Sequence, residues 1–403
     1  MTDIAPPKVG PLFVTVLAAI TAIGPLSLHM FFPAIPDVRD DFDISHALAE
    51  LTLSVPLFVM AFATLAYGSL SDRYGRRPVL LGAIALFVAG SACSAFADSI
   101  WLLVLGRVLQ AAGAAGGLGL ARTIARDVYG TDRLVKIIAY LTMAYSLGPM
   151  ISTPVGAALV EIWGWRSVVG LAAAIGLVLG LASWIVMFET HRNRRTGEFR
   201  TNPLADYARL MGNLRFSAYV LQSGFSTGAF FTMASASAFL LTEYLQRPAS
   251  EYGAYFMFFP VGFLIGNFVS SRLSGRIAIE HMVLIGATIL LVTAGTQATL
   301  VAVDIVTPLV VFLPGFFVTF AQGMALPNAQ SGAIIAAGPL AGTGAGIGVF
   351  MQLFAAGAFT QLYGVIADGT PTPMAIAVTV AAVLSFAVGI VPAILRRREA
   401  IRG

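Results

Sequence analysis

His29 and Arg107 each place a polar side chain that can carry charge inside a long apolar run. Imidazole can carry a proton or make hydrogen bonds. A guanidinium in such a run requires a partner or a water-filled cavity, because a mid-membrane charge costs at least about 2.5 kcal/mol on insertion scales. Gln110 follows Arg107 by three residues, and Gly113, Ala114 and Gly117 then form a face of small side chains. A second set of charges lies between apolar runs, in Gly68-Ser69-Leu70-Ser71-Asp72-Arg73-Tyr74-Gly75-Arg76-Arg77-Pro78. Gly75 suits a tight turn, and Asp72 can pair with a cation or face the positive start of another helix. Arg126-Asp127 either joins Arg76 and Asp72 in one ionic cluster or is a solvated pair. Thr21, Tyr145, Gln222, Phe230, Phe231, Asn267, Gln322 and Gln352 are the polar and aromatic residues within apolar runs that suit a ligand cavity, or simple packing.

The elements that position these residues are membrane spans. Of 403 residues 58% are hydrophobic and only 11% charged, against about 25% charged in soluble domains. A bilayer core needs roughly 20 apolar residues per helix. Twelve runs qualify: 12–35, 51–70, 79–97, 101–121, 137–160, 167–188, 217–242, 252–271, 282–302, 306–326, 343–366 and 373–395. Arg107 is the charged residue within them, and no acid is assigned to any span. Of the 24 Lys and Arg, all but Arg39, Arg107, Arg166 and Arg247 fall in alternate connecting segments, so both termini are expected in the cytoplasm. This placement explains the net charge of +4 through membrane topology, without a nucleic-acid partner. The loop 189–216 carries Arg192, Arg194, Arg195, Arg200, Arg209 and Arg215 and divides the chain into 1–188 and 217–403. Val79-Leu80-Leu81-Gly82-Ala83 recurs as Val283-Leu284-Ile285-Gly286-Ala287, consistent with two related halves. One Cys excludes an internal disulfide and disfavours a zinc site, and His46, His191 and His281 are read as loop residues.

The Gly68–Pro78 loop resembles the signature of the major facilitator superfamily, whose pattern there is Gly, Asp-Arg, Gly and paired basic residues. That resemblance implies an all-α integral membrane fold of two six-helix bundles. It also implies that Asp72 caps the eleventh span near Gly342-Thr343-Gly344 when the protein faces outward. Arg107 and Gln110 resemble a family pattern linked to proton coupling, with Ala111 where the family has Gly; the alternative is a structural anchor to backbone carbonyls. Gly148-Pro149 and Pro154-Val155-Gly156 resemble the drug-exporter antiport signature, shifted by one residue. Trp165-Arg166 and Phe188-Glu189-Thr190 flank the sixth span as in many exporters. The first span ends Pro25 to Pro36 in a way that resembles the bicyclomycin and chloramphenicol exporters, with His29 where they carry Asp and Phe31 where they carry Tyr. Leu51-Thr52-Leu53-Ser54, Leu326-Pro327-Asn328-Ala329 after the tenth span and Ala341-Gly342-Thr343 extend that likeness. The second half's equivalent of the Asp72 loop, Arg272-Leu273-Ser274-Gly275-Arg276, lacks the Asp, so any gate there is weaker or differently built.

The expected function is therefore small-molecule efflux by alternating access, in a bacterial inner membrane, by a monomer that exchanges cargo for protons and needs no cofactor or metal. His29 is either a proton carrier or a hydrogen-bonding residue. An imidazole sharing an acid-poor interior with Arg107 is expected to be neutral, which favours neutral or anionic cargo over lipophilic cations. An uncoupled facilitator or metabolite exporter is the competing transporter reading. A membrane enzyme or receptor is disfavoured by the absence of paired mid-span acids, metal-ligand spacing or a soluble sensor domain.

Overall fold

A computed structural model of the chain describes residues 10–190 and 203–402. Lys8, His191, Arg192, Arg194, Arg195 and Arg200 lie outside the described residues. Before the central loop come α1 (Pro11–Met30), α2 (His46–Tyr74), α3 (Arg76–Ala95), α4 (Ile100–Trp163) and α5 (Trp165–Val186). After it come α6 (Leu214–Phe239), α7 (Ala249–Phe256), α8 (Phe258–Leu273), α9 (Ile279–Ala302), α10 (Pro308–Ala337), α11 (Ala341–Ile366), α12 (Thr372–Gly389) and α13 (Val391–Arg402). Among the described residues, eleven stretches are long and apolar enough to cross a membrane. The long helix α4 supplies two of them, Ile100–Tyr129 and Lys136–Trp163, whereas α10 and α11 fall within one, Pro308–Ile366, interrupted by a 3-10 turn at Gly338–Leu340.

Helix starts follow local chemistry. Ser45 Oγ accepts from Leu48 N, Ser99 Oγ from Leu102 N and Thr307 Oγ1 from Val310 N, each satisfying a first-turn donor. Gly75, at φ 101°, makes the turn from α2 into α3. These caps move several expected boundaries. The Ser45 cap starts α2 at His46 instead of residue 51, which brings Glu50 inside the helix. Helix α10 continues to Ala337, so Leu326-Pro327-Asn328-Ala329 is a mid-helix segment and not a loop. His46 and His281 are in the first turns of α2 and α9, not in loops.

Within the first half α4 packs on α1, α2 and α3, and within the second α6 packs on α10, α11 and α12. Lipid tails are as apolar as Leu, so helices in a bilayer associate chiefly through close backbone approach and hydrogen bonds. Gly156 shows the closeness: a Cβ there would lie 2.1 Å from Met30 O, so α4 meets α1 backbone to backbone. Helix α6 is buried on nearly all sides, while α2 on α11 and α4 on α7 make the main packing between the two halves.

Candidate functional site

Arg107 is 2% exposed and fixed entirely within the first half. Its Nε donates to Thr52 O at 3.1 Å, Nη1 contacts Gln110 Oε1, and the guanidinium lies 4.1 Å over the Phe31 ring. Gln110 Nε2 in turn donates to Ser91 Oγ at 2.7 Å. The chain thus runs from α2 through α4 to α3, and no acid is among these partners. A planar cation stacked on an aromatic face with its donors on a carbonyl and an amide is well satisfied without a counter-ion.

His29 lies near the end of α1. Four rings surround it: Phe32 at 5.2 Å, Phe231 at 5.8 Å, Phe230 at 5.9 Å and Phe256 at 6.2 Å between centroids. Its Nδ1 is buried with no hydrogen-bond partner among the described residues. The expected proximity to Arg107 is not what sets its environment; aromatic rings from both halves do. The α4 segment with the antiport-like residues backs this layer: Thr153 Oγ1 donates to His29 O at 3.3 Å, and Gly148 approaches Pro25.

The other cavity candidates scatter. Gln222 donates to Ser385 Oγ at 3.3 Å, leaving Oε1 without a partner, and Gln322 donates to Thr227 Oγ1 at 3.1 Å. Thr21 and Asn267 turn back onto Leu17 O and Phe263 O, the ordinary fate of such side chains in helices. Tyr145 is exposed, and Gln352 Nε2 has no partner among the described residues.

Among the described residues, the polar contacts that join the halves lie at the end remote from the basic loops, and sequence reading missed most of them. Glu50 is fully buried, and Ser235 Oγ of α6 donates to its Oε1 at 2.5 Å. The interior is therefore not free of acids. Ser54 Oγ donates to Gln361 Oε1 at 2.6 Å, and Gln361 Nε2 donates to Ala47 O at 3.0 Å. Glu243 meets Arg39 at 2.7 Å and His46 at 3.3 Å. Ser250 N donates to Glu161 Oε2 at 2.9 Å, so a carboxylate of the first half caps α7 of the second. Gly253 lets α7 sit against Pro154, where an added Cβ would be 2.8 Å from Pro154 Cα.

At the basic end the halves part. Apolar contacts between α2 and α11 descend through Phe58–Phe354 and Phe62–Phe350, both at 5.1 Å, to Leu65 beside Gly346. Beyond that, Gly68 and Gly342 have open space beside them. Asp72 does not reach the start of α11: it is 57% exposed and pairs with Arg76 at 2.7 Å. Arg76 also bonds Asp127 at 3.1 Å, and Glu189 accepts from the backbone N–H of Arg76 and Arg77. Arg73 lies over Tyr74, and Arg126 is 3.7 Å from Asp127. This ionic cluster is thus built within the first half, with Glu189 capping α3.

A helical bundle whose two halves touch at one end and separate at the other defines a membrane transporter fold. Residues 17–362 match the Major Facilitator Superfamily, and the chain belongs to it. It is 23% identical over 279 residues to the bicyclomycin resistance protein homolog of Haemophilus influenzae, covering 69% of this chain and 70% of that protein. It is 28% identical over 256 residues to multidrug resistance protein D of Escherichia coli strain K12, covering 60% and 64%. To the uncharacterized MFS-type transporter YdgK of Bacillus subtilis it is 26% identical over 372 residues, covering 91% and 92%. Two solved structures share the fold: the nucleoside transporter NupG, with TM-score 0.74 at 12% identity over 94% of this chain and 98% of that one, and the xylose transporter XylE of E. coli, with 0.69 at 12% over 94% and 96%. The protein is a multi-pass membrane transporter and not an enzyme.

Proposed function

We propose that the protein is a twelve-span exporter of small hydrophobic compounds, neutral or anionic, in the inner membrane of a bacterium, driven by exchange for protons. Both termini are then cytoplasmic by the Lys and Arg placement, and the sealed end faces outward. The observation that carries this reading is the one-sided seal: among the described residues, the polar contacts between halves, from Glu50–Ser235 to Glu161–Ser250, lie at the outer end. A single chain holding both halves is a complete alternating-access unit, which supports a monomer. The relatives named for bicyclomycin and multidrug resistance support export of drug-like cargo.

The His29 layer supplies the chemistry for such cargo. Aromatic rings favour flat apolar molecules, and the unpartnered Nδ1 offers one hydrogen bond for orientation. None of the four rings around His29 carries a charge, so a lipophilic cation gains no ion pair there. Gly68 and Gly342, open in this state, are the faces that meet when the inner end closes and the outer end opens.

A susceptibility panel in a strain lacking other pumps, followed by uptake into everted membrane vesicles, tests the reading. Protection against neutral or anionic compounds, with vesicle uptake abolished by a protonophore, is expected. Transport indifferent to the protonophore would leave an uncoupled facilitator.

A further inference from the structure

Glu50 differs from the two other acids that bridge the halves at the outer seal. Glu243 has Arg39 and His46 beside it, and Glu161 has a helix N-terminus. Glu50 is fully buried, accepts one hydrogen bond from Ser235 Oγ, and its Oε2 has no partner among the described residues. The groups packed around it supply no positive charge. From α7 and α11 the phenols of Tyr252 and Tyr363 are near, Tyr252 donating to Ala234 O. Glu243, in the helical turn Leu240–Tyr244 that follows α6, adds a further negative charge around Tyr363, and His46, a turn earlier on α2, is turned to that Glu243. Gly364 of α11 closes over the stem, since a Cβ there would be 2.8 Å from Glu50 Cβ. An ionised carboxylate in such a site is an uncompensated buried charge, among the costliest arrangements in a protein. A neutral carboxyl fits it, with its proton on Oε2 and Oε1 accepting from Ser235.

We propose that Glu50 links one proton to closure of the outer end. The sealed state holds the neutral carboxyl; when α2 separates from α6 and α11, water reaches the group, the Oε2–H proton passes to water and the carboxylate is solvated. The proposal rests on the alternating-access reading above and assigns to one side chain the pH dependence of the outer gate. The sign follows from linkage. The sealed state binds the extra proton, so low pH favours sealing and rising pH favours opening, by up to about tenfold in the equilibrium per pH unit while the open-state carboxylate stays ionised. His29 lies under Phe231, one turn of α6 from Ser235, so cargo in the aromatic layer and the proton on Glu50 share one helix face.

The test uses the full chain in lipid nanodiscs with Cys93→Ser, and spin labels at Asp98→Cys and Asp304→Cys, on outer-end turns of the two halves. His46 faces Glu243 at the same seal, so the series is measured in a His46→Gln background. Distances are read from pH 5 to 9 with Glu50 present, with Glu50→Gln, which keeps shape and the Ser235 bond, and with Glu243→Ala, which breaks the seal by another route. A short distance giving way to a long one as pH rises, and a flat, sealed Glu50→Gln profile, is the expected result. Equal pH shifts with and without Glu50→Gln overturn the proposal and leave alternating access standing. No pH shift with Glu50 present, while Glu243→Ala opens the labels, also overturns it. Labels that stay fixed in every variant, Glu243→Ala included, overturn the alternating-access reading itself.

Discussion

The guanidinium of Arg107 is satisfied by a carbonyl, an amide and an aromatic face, so its immediate geometry is that of an anchor joining α2, α3 and α4. Arg107→Lys keeps the charge but loses the planar stack and the Thr52 contact. Hydrogen bonds to charged groups contribute about 1.5–3 kcal/mol, so thermal unfolding of the purified protein is expected to fall in step with transport. Unchanged unfolding with lost proton exchange would instead place Arg107 in the coupling machinery. His29 is the complementary case. His29→Phe leaves the ring cluster intact and removes the hydrogen bond offered to cargo, worth about 0.5–1.5 kcal/mol, so cargo affinity is expected to weaken by several-fold while proton uptake on cargo addition persists. Binding and pH-electrode measurements in proteoliposomes check both. Loss of proton uptake would make His29 the carrier.

At the scale of elements, glycines report which helix faces are engaged now and which are engaged later. Gly253→Ala drives a Cβ into Pro154 Cα and is expected to wedge the outer seal, lengthening label distances there. At Gly68 and Gly342 an added Cβ meets nothing in this state, so for Gly68→Leu and Gly342→Leu the unfolding temperature is expected to stay the same while transport falls, because the added bulk blocks inner closure. Loss of stability instead would mean these faces are already packed. The helices themselves were legible in the sequence because membrane spans are long apolar runs with capping residues before them. Their ends were less so. A hydropathy limit stops at the first charge, which placed Glu50 and His46 outside α2, and a Pro inside an apolar run reads as a boundary, which hid the continuation of α10 past Pro327.

For the whole molecule, the Asp72 motif was readable since it is local: turn glycine, helix-end acid and basic pair lie within a few residues. Its partners Asp127 and Glu189 were within reach because each closes a span on the same side. The outer seal was not readable, because it is assembled from single residues far apart in the chain. Nothing local marks Ser235 for Glu50, or Gln361 for Ser54, until the two halves are folded against each other. Which end is sealed is likewise a property of the assembled bundle.

The exchange of that seal for an inner one is the central claim, and a reversible lock tests it most directly. Ser54 on α2 and Gln361 on α11 bond across the seal at 2.6 Å, close enough for a short bifunctional thiol reagent to bridge cysteines placed there. In a Cys93→Ser background, Ser54→Cys with Gln361→Cys is cross-linked in everted vesicles by a short, membrane-permeant and reducible bis-thiol reagent, and uptake of a neutral lipophilic dye is followed. Uptake is expected to fall to the level of empty membranes when the bond forms and to return on reduction. Undiminished transport with the two halves linked at the outer end would contradict the account.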